Sequence, residues 1–261
     1  GAEHVPPPDS YRCVWDCAGE CNLKCADYID YVLEKEGDVA AVIAETVRST
    51  PFIPPADYWQ RVRDACDRHG ALLILDEIPH CLGRTGRMFT CEHYGVVPDM
   101  VVIGKGLGGG IFPFAALIAR EELNLAADKA LGHYTHEKSP VACAAALATL
   151  EVIREENLLE NAERVGQFAL EKLRDLQRRH SLVGDVRGLG LLLGVELVRD
   201  RKSLERATEE AEEVMYQALA RGLSFKLTMG NIITLTPSLT VTEEEVTEAV
   251  GILDECLELV G

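Results

Sequence analysis

The sequence predicts an α/β protein, with a parallel-rich sheet and flanking helices over residues 1–155 and a smaller C-terminal α+β domain over 156–261. Three observations carry this expectation. Apolar runs at 39–45, 71–77 and 101–103 alternate with helical stretches, the pattern of strands buried on both faces of a parallel sheet. Each run leads into a charged residue: Glu45, Asp76 and, past Gly104, Lys105. Beyond residue 156 the pattern changes to long charged helices set among shorter strands.

In order, residues 1–25 open with a proline run and read as an extended lead-in to a short helix at 27–35. The first strand is 39–45. A proline-rich turn at 51–55 leads to a helix at 57–69, with Asp57 placed to cap its N-terminus. The second strand, 71–77, ends in the Asp76-Glu77 pair, and the third runs into Gly104-Lys105-Gly106 and the glycines at 108–110. A fourth strand spans 115–119. The helix at 139–156 begins with small residues (Ala142, Ala144, Ala145, Ala146), which suits tight packing. A second helix covers 158–180, and 183–197 reads as two strand pieces joined by glycines. A charged helix at 203–221, strands at 223–227 and 232–236, and an amphipathic helix at 243–259 complete the chain. Thr242 followed by Glu243, Glu244 and Glu245 is the pattern of a capping box.

Bulk properties exclude several functions. The 261 residues are 47% hydrophobic, enough for a substantial core, and the formal charge of −17 argues against nucleic acid or an anionic membrane surface as partner. No apolar run approaches the roughly 20 residues of a membrane span. Nine cysteines, an odd number in a chain with a good core, fit a reducing, cytoplasmic compartment better than a disulfide scaffold. Cys13, Cys17, Cys21 and Cys25 repeat every fourth residue, which on a helix would form one stripe. Zinc and iron–sulfur sites favour closer pairs, so these are expected to be small buried thiols, with no metal.

Ligands of parallel α/β sheets sit beyond the carboxyl ends of the strands, where Glu45, Asp76 and Lys105 fall. Any one of them could equally be a helix cap or an ion-pair partner. A lysine between a buried strand and glycines is expected to be desolvated, which favours the neutral, nucleophilic amine that Schiff-base chemistry needs.

Taken together, Asp76-Glu77-Ile78 with Gly83-Arg84-Thr85-Gly86, Asp99 with Gly104-Lys105-Gly106, and His133-Tyr134-Thr135 with Pro140-Val141-Ala142 resemble the motif blocks of the class III pyridoxal-phosphate aminotransferases of fold type I, the ornithine, 4-aminobutyrate and ω-amino acid group. The resemblance covers essentially the whole chain. It implies pyridoxal 5′-phosphate as cofactor, Lys105 as the Schiff-base lysine and later the proton-moving base, and Asp76 as the partner of the protonated pyridine nitrogen. It implies that Ile78 packs on the cofactor ring, that Thr135 reaches the phosphate of the opposite subunit of a homodimer, and that Glu45 lies near the substrate.

The sequence departs from that pattern at several points. Pro79 stands where the family has a glutamine, leaving His80 as a neighbour able to supply a donor. Thr46 replaces a usual proline, and His136-Glu137-Lys138-Ser139 replaces a glycine-rich edge. Thr234 occupies the place of the arginine that grips a substrate carboxylate, with Lys226 or Arg48 as substitutes. Full-length members carry roughly another hundred and fifty residues ahead of this start, including the loop that cups the phosphate. The leading expectation is an aminotransferase moving an amino group from a primary amine or ω-amino acid to a keto acid. The alternatives are a lyase on the same scaffold, eliminating ammonia or phosphate from an amino-alcohol phosphate or hydroxy-aminophosphonate, and a non-catalytic fragment needing a partner chain.

Overall fold

Strands β1 (Ala41–Glu45), β2 (Leu72–Asp76) and β3 (Met100–Ile103) run parallel, and β4 (Ala116–Ala119) joins antiparallel to β3, in the order β1-β2-β3-β4. This is a computed structural model, and it describes all residues except 18–20, 127, 130, 131 and 133–136. Helices α1 (Lys24–Glu36) and α2 (Tyr58–His69) bury Ala26, Ile29, Leu33, Trp59, Val62 and Ala65 against Leu73 and Leu75 of β2. The Trp59 indole N–H donates to the Thr46 carbonyl at 2.8 Å, which satisfies the one polar atom of a large buried ring. Helix α1 starts three residues earlier than the sequence suggests. Asp57 does hold the position before α2, but its side chain accepts no capping hydrogen bond. Its backbone (φ −89°, ψ 0°) is helical rather than extended, so the carboxylate is not presented to the first-turn N–H groups. Helix α3 (Pro140–Glu155) begins with proline in the first turn, where no N–H is needed.

The strands of this sheet are less buried than their apolar composition implies. Leu73 and Leu75 are fully buried, yet Ile43 is 65% exposed and Leu117 59%. The α1–α2 layer covers one face of β1 and β2, so the expectation of burial on both faces is corrected here.

The rest of the chain forms an antiparallel sheet of order β5-β6-β9-β8: β5 (Val183–Leu189), β6 (Leu192–Asp200), β8 (Lys226–Thr228) and β9 (Ile232–Leu235), with β7 (Glu205–Arg206) paired to β6. Helices α4 (Leu158–Arg179), α5 (Thr208–Ala220) and α6 (Glu243–Val260) complete its core. The helix expected from 203 begins only at Thr208. Asp200 Oδ1 accepts the N–H groups of Lys202 (2.9 Å) and Ser203 (2.6 Å), so the chain turns before it can coil. The capping box of α6 is present: Glu245 N–H donates to Thr242 Oγ1 at 3.2 Å, and Thr242 N–H to Glu245 Oε2 at 2.8 Å.

Two units result, one of residues Gly1–Val47, Pro54–Leu82 and Phe89–Glu156, the other of Arg48–Ile53, Gly83–Met88 and Asn157–Gly261. A single cut near residue 155 misses the two short segments that cluster with the second unit. No described helix is long and apolar enough to cross a membrane.

Candidate active site

The register of the first sheet aligns Glu45 with Asp76, and Asp76 with Val102, three residues before Lys105. Side chains alternate along a strand, so Leu73 and Leu75 face α1 and α2 while Ile43, Glu45, Ile74 and Asp76 belong to the opposite face. The exposure of Ile43 marks that face as the open one. Two carboxylates therefore stand side by side at the carboxyl edge of an accessible sheet face.

Asp76 Oδ1 accepts the Ile78 N–H at 3.1 Å, which fixes the turn out of β2. The Ile78 side chain lies against Gly104: a Cβ there would sit 3.4 Å from Ile78 Cγ2 and 3.3 Å from Ala115 Cβ. Glycine permits this close packing immediately before the lysine. Lys105 itself adopts φ 45°, the left-handed region that non-glycine residues avoid. Such a conformation costs on the order of 1–3 kcal/mol and persists where the surroundings impose it. Those surroundings are a short 3-10 turn over Lys105–Gly108, with Leu107 N–H donating to Gly104 O at 3.1 Å. Leu107 and Gly108 in that turn are buried, and at Gly109 a Cβ would come within 3.1 Å of Thr149 Oγ1 of α3. Lys105 is exposed, which corrects the expectation of a desolvated amine. Strand β3 stops at Ile103 and the backbone turns at the lysine, so the residue is not held inside the buried strand.

Glu77 was legible only as the second acid of a pair, and it does a different job from Asp76. Almost wholly buried, it accepts hydrogen bonds from Thr46 Oγ1 (2.8 Å), Thr90 N–H (2.6 Å) and Cys91 N–H (2.7 Å). Burial pushes its carboxyl above the usual range, against the pull of those donors. The carboxylate thereby pins the residue after Glu45, and the turn at 90–91, to the end of β2. The period-2 alternation places Glu77 and Asp76 on opposite faces, and that was the signal that could have separated them. His80 is also buried, with Nε2 3.9 Å from Glu45 Oε2. The candidate edge thus gathers Glu45, Asp76, Ile78, His80 and Lys105.

Other motif residues have structural partners. Buried Asp99 accepts from Arg63 (2.7 Å) and Leu73 N–H (2.7 Å) through Oδ2, and from Arg120 (3.0 Å) through Oδ1, tying β3 to β2, α2 and the end of β4. In the second unit, Arg84 donates to the carbonyls of Pro237 (2.6 Å) and Leu191 (3.3 Å). Thr234 is buried in β9 with its hydroxyl 2.9 Å from that of Thr228, and its register partner Lys226 is exposed. Arg48 lies over the Phe52 ring at 5.4 Å. Thr135, with His133 and Tyr134, lies outside the described residues. Among the described residues no group of three His, Cys, Asp or Glu side chains is arranged to hold a metal ion.

Comparison with known proteins accounts for this combination. The model of the family "Aminotransferase class-III" matches residues 3–257. The chain is 45% identical to an (R)-1-hydroxy-2-aminoethylphosphonate ammonia-lyase of Vibrio splendidus, over 98% of the chain and 57% of that protein. It is 40% identical to a leucine/methionine racemase of Thermococcus litoralis, over 97% of the chain and 58% of that protein. A solved Bacillus anthracis aminotransferase superposes with a TM-score of 0.90 at 34% identity, covering 98% of this chain and 61% of that one. The chain thus spans somewhat under two thirds of the length of these relatives. It belongs to the class-III aminotransferase family, fold type I enzymes whose cofactor is pyridoxal phosphate.

Proposed function

We propose that Lys105 is the lysine that binds pyridoxal phosphate covalently and then moves a proton at the amine-bearing carbon of a primary amine substrate. The observation that carries this is its placement: a strained, accessible lysine just beyond the end of β3, the strand next to the one that ends in Asp76. The donor set fits the cofactor. The accessible Lys105 amine would hold the cofactor covalently, the neighbouring Asp76 carboxylate would balance a protonated ring nitrogen, and the Ile78 side chain would offer an apolar surface to the ring. The cofactor supplies an electron sink for the carbon that loses its proton. Asp76 would hold the ring nitrogen protonated, Glu45 would lie near the substrate with His80 beside it, and Thr135 would bind the phosphate across a homodimer interface.

For the reaction, we favour elimination of ammonia from a small hydroxy-amine bearing an anionic group. Lys105 removes a proton from the carbon carrying the amine, the hydroxyl leaves the adjacent carbon, and hydrolysis releases ammonia and an aldehyde. Two observations support this over transfer to a keto acid. The 45% identity is to an ammonia-lyase, and Thr234 with its threonine partner offers no bidentate cation for a 2-oxo acid carboxylate. Transamination is the second reading, favoured by the likeness to solved aminotransferases. Cytoplasmic operation on small amines fits either.

Borohydride reduction of the chain mixed with pyridoxal phosphate, followed by peptide mass mapping, tests the lysine. The expected label sits on Lys105 and is lost in Lys105→Ala. A label on another lysine, or none, overturns the assignment. Ammonia release from 1-hydroxy-2-aminoethylphosphonate without added pyruvate supports elimination, whereas strict dependence on pyruvate establishes transfer.

A further inference from the structure

Elimination needs a proton for the group that leaves. Hydroxide is the conjugate base of a very weak acid, water with a pKa of about 15.7, so a hydroxyl departs from carbon readily only when it is protonated on the way. Lys105 is occupied by the proton that it removes from carbon. The same sheet edge carries a second pair of proton-exchanging groups. His80 Nε2 lies 3.9 Å from Glu45 Oε2, with the imidazole side chain 5% exposed and the carboxylate side chain 34%. The histidine therefore stands behind the acid, and the acid faces outward. Their separation is longer than a direct hydrogen bond, a spacing that catalytic pairs often show before substrate tightens them.

One buried group holds both members. Glu77 Oε1 accepts the hydroxyl of Thr46, the residue after Glu45, at 2.8 Å, and Glu77 Oε2 accepts the Thr90 N–H at 2.6 Å. The Thr90 hydroxyl donates to the His80 carbonyl at 3.0 Å, and the His80 N–H to the Glu77 carbonyl at 3.0 Å. The turn that carries His80 also packs on the turn that carries Lys105. Ile78 lies against Gly104, and a Cβ on Gly106 would meet Leu82 Cδ1 at 3.8 Å. Any ring of this size could fill the space, but an imidazole can exchange a proton with the carboxylate it faces.

We propose that the Glu45–His80 pair protonates the departing hydroxyl, an assignment that rests on the elimination reading. Glu45, the outward member, is the catalytic residue that meets the leaving oxygen. His80 is the positioning residue that holds Glu45 and resupplies its proton. As Lys105 takes the proton from the amine-bearing carbon, the adjacent C–O bond breaks with its electron pair on oxygen. That oxygen takes a proton from Glu45 and leaves as water. His80 Nε2 passes its proton to Glu45, and the imidazole recovers one from solvent. The step consumes no oxidant and no second substrate.

Ammonia release by the chain loaded with pyridoxal phosphate tests this, with 1-hydroxy-2-aminoethylphosphonate and its 1-fluoro counterpart, whose fluoride leaves without a proton. Glu45→Gln is expected to lower kcat on the hydroxyl compound about a hundredfold or more, with KM little changed, and on the fluoro compound no more than about threefold. His80→Gln is expected to show the same selectivity with a smaller loss. Equal losses on both compounds mean a structural role and overturn the proposal. So does an undiminished hydroxyl reaction in Glu45→Gln, which leaves Lys105 as the donor. A second readout needs no turnover: in the cofactor-free chain, the ring-nitrogen resonances of His80 are expected to shift in Glu45→Gln, and unmoved resonances overturn the pairing. A parent inert towards both compounds, with that shift present, overturns the elimination reading itself, and the hydroxyl assignment falls with it.

Discussion

The two units solve the burial of similar apolar strands in different ways. In the second unit, the first seven residues of β6 are all buried, and the core around them takes residues from three helices and three strands. In the first unit, β2 buries only alternate residues and β4 leaves three of four exposed. One unit is close-packed around a central strand, while the other keeps a sheet face open, and Glu45, Asp76 and Lys105 all belong to the open one. Because Trp15 and Trp59, the chain's two tryptophans, both lie in the first unit, fluorescence excited selectively at tryptophan reports on that unit.

The largest effect is expected from glycine contacts in the second unit. A Cβ at Gly166 of α4 would fall 2.2 Å from the Gly190 carbonyl oxygen, and one at Gly190 would fall 2.4 Å from the Thr85 carbonyl carbon. Neither neighbour is a side chain that can swing away. Gly190 also needs its left-handed φ of 54°. Gly166→Ala is expected to cost about 3 kcal/mol or more, read as a lowered helix-melting transition by circular dichroism. A smaller shift of the tryptophan transition sharpens the contrast between units, and an equal shift of both breaks it.

This contact shows where the sequence was legible. Alternating apolar runs located every strand of the first sheet, and the motif residues Asp76 and Lys105 fell at the predicted edge. Gly166, by contrast, sits among charged residues in a helix and carries no local signal, since its reason is a backbone 24 residues away in sequence. The exposure of Lys105 was likewise illegible. Its flanking apolar run predicted burial, but β3 stops at Ile103 and the lysine itself takes a left-handed φ of 45°, in a turn whose Gly109 packs against Thr149 of α3. Glu77 and Asp99 read as motif acids, and only three-dimensional partners drawn from distant segments reveal them as clasps.

Asp99 gives the next largest effect, now in the open unit. Burial, the largest influence, pushes its carboxyl up, but the Leu73 N–H, Arg63 and Arg120 outweigh it and hold the group below its ordinary 3.8. A depressed folded value means that the carboxylate contributes stability at pH above 3.8, and that this is lost as the pH falls through the folded value. Asp99→Asn leaves buried Arg63 without its inner partner, at a cost of about 3 kcal/mol at neutral pH. The tryptophan transition is expected to fall in the variant and to lose part of its acid dependence. An unchanged acid profile would assign that slope to other carboxylates.

The smallest effect belongs to the cap of α6, where local sequence alone sets the structure. Thr242 Oγ1 accepts the Glu245 N–H, and the Glu245 carboxylate returns to the Thr242 N–H, so two N–H groups at the start of the helix are satisfied by side chains four residues apart or fewer. Glu243 adds an ion pair with Arg164 of α4, and three acids face the positive end of the helix. Thr242→Ala removes the hydroxyl acceptor but leaves those charges, so the expected loss is about 1 kcal/mol. Chemical denaturation followed by circular dichroism should register it, with the tryptophan signal hardly moved. Thr242→Ser, which keeps an acceptor oxygen, should recover most of the difference. If serine fails to rescue, the threonine matters through its methyl packing, and the second unit is close-packed out to the first turn of its last helix.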